Sequence, residues 1–91
     1  MAQVVVTLKI MPESPSTDFA SIQEKATKLI HEFGGQVGKV DIQNVAFGLK
    51  ALNLFFMMDE DVGSTESLEQ EIAKLHGVNS VDVTDVRRTV G

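Results

Sequence analysis

From Val4 to Met11 the chain alternates, with Val4, Val6, Leu8 and Ile10 on one face and Val5, Thr7 and Lys9 on the other. β-Branched residues dominate this run, which predicts a strand stopped by Pro12. The next segment, MPESPSTD, holds two prolines and two serines and is expected to be an extended loop. Beyond it the period changes. Phe19, Ile22, Ala26, Leu29, Ile30 and Phe33 recur at spacings of three and four, while Gln23, Glu24, Lys25, Lys28 and Glu32 fall elsewhere. This predicts an amphipathic helix of about four turns, N-capped by Ser16 or Thr17 with Asp18 near the positive end of the dipole, and ended by a left-handed residue at Gly34-Gly35.

Val37, Val40 and Ile42 then predict a second strand, and Leu49 to Met58 (LKALNLFFMM) a third. The third is the most apolar and is expected at the centre of a sheet, paired with the second as a hairpin. The corner between them, within NVAFGLKALNL (residues 44–54), sets Phe47 beside Gly48, where the sheet stops and solvent or a partner begins. A loop from Asp59 to Gly63 leads to Ser64 or Thr65 as a second N-cap, a helix carrying Leu68, Ile72 and Leu75, an end at His76-Gly77, and a last strand over Val78 to Val86. The order β-α-β-β-α-β predicts an α+β, ferredoxin-like fold: a four-stranded antiparallel sheet with two helices on one face.

Ninety-one residues suit one domain, residues 1–91, burying roughly 60 to 65% of the unfolded surface. Apolar residues make up 43% and charged residues 23%, a balance too apolar for disorder. The chain has no cysteine, and so neither disulfides nor thiolate chemistry. A strand begins almost at the N-terminus without a secretion signal, and no run approaches 18 apolar residues, so a cytoplasmic protein off the membrane is expected. The net charge of −5 argues against direct nucleic-acid binding and favours a partner with a basic surface. Arg87 and Arg88 are a local basic exception at the end of the chain.

Catalytic and metal chemistry find little support. His31 and His76 fall near helix ends, without cysteines to join them as ligands. Asp59, Glu60 and Asp61 lack the ligand alternation and closing glutamate of a calcium loop and read as a solvated acidic turn. No phosphate loop, GxGxxG or nucleophile elbow is present, so neither an enzyme nor a bound cofactor is expected. Leu54, Phe56 and Met58, with Phe55 and Met57, read as core before they read as a ligand cavity. An RNA-recognition domain shares this strand order, but its base-stacking positions correspond here to Leu49, Ala51 and Asn53.

With IMPESPSTD after the first strand, VAFGLKALNL at the corner, MDEDVGSTESLEQEI through the second helix and SVDVTDVRR at the end, the chain resembles the archaeal translation elongation factor 1-beta family over nearly its whole length. Members are guanine-nucleotide exchange factors for elongation factor 1-alpha. The resemblance implies that the chain promotes GDP release by inserting an aromatic corner and a basic C-terminal tail near the magnesium and phosphate-loop region of that GTPase. It implies a partner-binding set of Phe47, Gly48, Leu49 and Lys50 at the corner and Arg87 and Arg88 in the tail, with Arg88 where eukaryotic relatives carry lysine. The alternative is a small-ligand-binding regulatory domain of the same fold; a scaffold or dimerisation module would also fit.

Overall fold

The computed structural model describes residues 3–14, 16–45 and 48–89. Strand β1 (Gln3–Pro12) is followed by helix α1 (Phe19–Phe33), strands β2 (Gln36–Asn44) and β3 (Lys50–Asp59), a 3₁₀ turn (Glu60–Val62), helix α2 (Glu66–Ala73) and strand β4 (Val78–Thr89). The sheet runs β2-β3-β1-β4 with every neighbouring pair antiparallel, which is the expected ferredoxin-like arrangement.

The alternation in β1 and β3 decides what the helices cover. Val6 lies opposite Phe56, Leu8 opposite Leu54 and Ile10 opposite Leu52, and all six are buried on one face. Ile22, Ala26 and Ile30 of α1 and Leu68 and Ile72 of α2 close over that face in the same core cluster. The other face of β3 carries Ala51, Asn53, Phe55 and Met57. Met57 is 41% exposed and Phe55 half-buried, so of the stretch from Leu54 to Met58 it is Leu54, Phe56 and Met58 that belong to the core.

Asp18, not Ser16 or Thr17, caps α1: its Oδ1 accepts from Ala20 N at 3.0 Å and Ser21 N at 3.4 Å. Thr17 is taken up by the loop, where its Oγ1 accepts from Ser14 N and its own N–H donates to Ser14 O. At the other end Gly34 adopts φ 107° and donates to His31 O, while Gly35 N donates to Ile30 O at 2.8 Å, a Schellman-type stop. Gly35 serves a different need. A Cβ there would lie 2.9 Å from both Ile30 Cγ2 and Phe56 Cδ2, so the chain can enter β2 against the core only without a side chain.

α2 is shorter than expected, ending at Ala73 in i→i+3 turns (Lys74 N to Glu71 O, Leu75 N to Ile72 O) before Gly77, with φ 90°, releases the chain into β4. Thr65 makes no capping bond but donates from Oγ1 to Glu69 Oε2 at 2.9 Å, and Ser64 Oγ accepts from Glu66 N. β4 in turn outlasts its expected end at Val86 and carries both arginines inside the sheet. Eight residues of helix span about 12 Å and twelve of strand about 40 Å, so α2 roofs only part of its strand. Val86 is left 57% exposed.

Gly35→Ala is expected to destabilise the domain by about 1–3 kcal/mol through overpacking, a fall of roughly 4–8 °C in melting temperature per kcal/mol. Gly38→Ala, whose Cβ would meet nothing closer than Phe55 O at 4.0 Å, should be near neutral. Chemical denaturation of both variants checks this; equal stabilities would mean that the close approach at Gly35 carries no energetic weight.

Candidate partner-binding site

At the corner Asn44 pairs with Lys50, and Val45 N donates to Leu49 O at 2.9 Å. Gly48 takes φ 76°, the left-handed residue such a loop requires, and a Cβ on it would meet nothing within 4 Å. Val45, Gly48 and Lys50 are exposed and Leu49 is half-buried. Ile42 belongs by register to the helix-covered face, yet it is 50% exposed, so this end of the hairpin projects past the helices. Phe47, with Ala46, lies outside the described residues.

In the tail a one-residue bulge decides orientation. Thr7 pairs with Asp85 and Leu8 with Val83, which leaves Thr84 as the extra residue. Val81 and Val83 face the core, and unbroken alternation would put Arg87 on the helix side. The bulge reverses this. Val86 and Arg88 pair with Val6 and Val4 on the helix side, whereas Arg87 pairs with Val5 on the open face and its Nε donates to Asp85 Oδ2 at 2.8 Å. Arg88 reaches the 3₁₀ turn: its Nε and Nη2 each contact Glu60 Oε2 at 2.5 Å. Beside this pair Val4, Val6, Met58 and Val86 floor a groove of about 290 Å³, rimmed by Glu60 and Thr65, in the area α2 leaves unroofed.

The structure does not bring the corner and the tail together. Lys50 sits by the Pro12 end of β1 and Thr89 by Gln3, so the two ends are separated by nearly the whole length of that strand, about 30 Å. Gly48, Leu49 and Lys50 form one patch; Arg87 and Arg88 belong to another and face opposite sides of the sheet.

The remaining candidates are scattered. His31 is exposed in the last turn of α1, and His76 borders a separate cavity of about 440 Å³ with Ser14, Ser16, Thr17, Asp18 and Lys25. Among the described residues, no three His, Asp or Glu side chains gather in a way that could hold a metal ion, and no helix is long and apolar enough to cross a membrane. On the open face Ala51 and Asn53 are buried, with Asn53 Nδ2 donating to Gln43 Oε1, and Lys39 Nζ stands 5.4 Å over the Phe55 ring.

The model of the EF-1 guanine nucleotide exchange domain matches residues 5–89, both candidate patches included. The chain belongs to this exchange-domain family. It is 40% identical over 88 residues to elongation factor 1-beta of Methanothermobacter thermautotrophicus, 44% identical over 88 to that of Methanobrevibacter smithii and 43% identical over 89 to that of Staphylothermus marinus, in each case over 97% of this chain and 98% of the relative. Among solved structures it is similar to the ACT domain from GTP pyrophosphokinase of Chlorobium tepidum (TM-score 0.60, 18% identity, 89% of this chain and 97% of that one) and to the C-terminal domain of the MgtC protein from Mycobacterium tuberculosis (TM-score 0.59, 12% identity, 98% and 87%). At these identities the likeness is one of fold. Within the exchange domain, Glu60 and the groove at Val86 are features that sequence reasoning missed, because the contact between Glu60 and Arg88 spans 28 residues and depends on a bulge.

An exposed ion pair contributes about 0–1 kcal/mol. Arg88 and Glu60 side chains are 69% and 38% exposed. Arg88→Ala is therefore expected to leave the free-energy of unfolding within about 1 kcal/mol of the parent, measured by urea titration. A larger loss would make the arginine a structural element of β4.

Proposed function

We propose that the chain is a guanine-nucleotide exchange factor of translation elongation, a single exchange domain over residues 1–91, acting in the cytoplasm on elongation factor 1-alpha and catalysing no covalent chemistry. The observation that carries this reading is the match of the exchange-domain model to residues 5–89, with archaeal elongation factor 1-beta relatives aligned over almost the full length. The partner contacts proposed are Phe47, Gly48, Leu49 and Lys50 at the corner and Arg87 and Arg88 at the tail. Because these ends lie about 30 Å apart along β1, the roles divide. Arg88 goes to the magnesium and phosphate-loop region, and the Phe47 corner packs against a separate part of the GTPase.

The physics of such an exchange is a coupling between two ligands. Magnesium and backbone amides hold the diphosphate of a translational GTPase, so a cation brought to the metal site weakens the nucleotide. Nucleotide then weakens the factor equally, and a thousandfold effect on release corresponds to about 4 kcal/mol. The acidic body, at net charge −5, favours approach to a basic docking surface.

The test is release of fluorescent GDP from archaeal elongation factor 1-alpha, with and without this protein, at several magnesium concentrations. Phe47→Ala is expected to weaken partner binding by about 2 kcal/mol or more with melting nearly unchanged. Arg88→Ala should slow release much more than it weakens the complex, with Arg87→Ala clearly milder. Near-normal exchange by Arg88→Lys would show that charge suffices; poor exchange would show that the fork is used. Release unaccelerated by the parent protein would overturn the reading.

A further inference from the structure

We infer that Glu60 is a positioning residue for Arg88: it holds the Nε–Nη2 edge of the guanidinium and presents the remaining fork to a two-oxygen anion on the partner. The inference rests on the exchange reading above and names the chemistry its basic end recognises.

A guanidinium carries five N–H donors. Glu60 Oε2 takes one from Nε and one from Nη2, at 2.5 Å each. Three donors have no partner among the described residues, and two of them, one on Nη1 and one on Nη2, form a second fork that matches a carboxylate or a pair of phosphate oxygens. The 69% exposure of the Arg88 side chain leaves that edge accessible.

Two built features make the contact. The Thr84 bulge turns Arg88, rather than Arg87, toward the 3₁₀ turn. The turn itself is fixed: Asp59 Oδ1 accepts from Asp61 N at 3.0 Å, Gly63 N donates to Glu60 O at 3.4 Å, and Gly63 leaves at φ 96°. Arg87 has no equivalent support, since its acceptor Asp85 lies two residues away on the same exposed strand. An arginine near the end of an edge strand otherwise samples many rotamers, and ordering one such side chain before docking corresponds to about three- to tenfold in a rate or affinity. The carboxylate also lowers the local charge, so the fork selects by geometry where a lone ammonium would act as a point charge.

The experiment uses the full chain with Glu60→Gln, Arg88→Ala and the double variant. Glu60→Gln is expected to lower the maximal GDP-release rate about three- to tenfold, with the half-saturating concentration changed by less than about twofold and melting unaltered, and to have no further effect in the Arg88→Ala background. An equal loss in the Arg88→Ala background, an inert Arg88→Ala, or release as fast as or faster than the parent would overturn the inference. Titrating nucleotide-free elongation factor 1-alpha identifies the anion: Glu60→Gln weakens that complex if the fork meets a protein carboxylate and leaves it unchanged if the fork meets the diphosphate.

A partner-free measurement separates the two failures. In the free protein the Arg88 Nε–H proton should exchange slowly with water in nitrogen-edited NMR spectra, and Glu60→Gln should accelerate it. Unchanged proton exchange overturns the contact itself. A slow proton together with a parent protein that fails to accelerate GDP release removes the exchange reading, and the role of Glu60 with it.

Discussion

Side chains on neighbouring strands at the same register must project to the same face, and in the β1–β3 pair this sets Val6 against Phe56, Leu8 against Leu54 and Ile10 against Leu52. A slip of one residue would carry all of them to solvent, so the pairing admits one register. Both helices are placed by that choice. α1 brings Ile22, Ala26 and Ile30 to the covered face, α2 brings Leu68 and Ile72, and the chain can pass from α1 into β2 over Phe56 only because Gly35 has no side chain. The ends of the strands, where the roof runs out, are where the molecule can touch something else.

This central constraint is also why so much of the fold was legible in the amino-acid sequence. Period two in β1 and β3, period 3.6 in α1, and the turn residues Gly34 and Gly77 are local signals, and tertiary packing agrees with each of them. The misreadings fall where two local solutions compete. Thr17 and Asp18 both suit an N-cap, and the loop settled the choice by using the Thr17 hydroxyl for its own turn with Ser14. The expected end of α2 at His76-Gly77 ignored that its last apolar position, Leu75, can pack from a turn as well as from a helix.

The candidate site was less legible for a different reason. A bulge has no period, and Thr84 shifts the phase of β4 after Val83 without any sequence mark that separates it from the alternation around it. The amino-acid sequence therefore marks Arg87 and Arg88 as a basic exception at the end of the chain without saying which of them faces the helices. The same holds for the distance between corner and tail. Each motif belongs to a different end of an antiparallel sheet, and only the strand order β2-β3-β1-β4 reveals that they lie a strand length apart.

That separation changes what kind of machine a 91-residue exchange domain can be. Two small contacts held by a flexible chain would act as independent weak binders, whereas two held by a rigid sheet bind with the second contact already at high effective concentration. β1 and β3 are the rigid spacer, with Lys50 and the loop closed by Val45 and Leu49 at one end and Val4, Met58 and the Glu60–Arg88 pair at the other. A GTPase gripped at two points must present them at this spacing, and if it does so only when its nucleotide site is open, binding energy gathered at the corner becomes available to distort the phosphate site. In the proposed two-point grip the spacing would be set by the packed core of β1 and β3, and the residues at the two ends would act at the distance that core fixes.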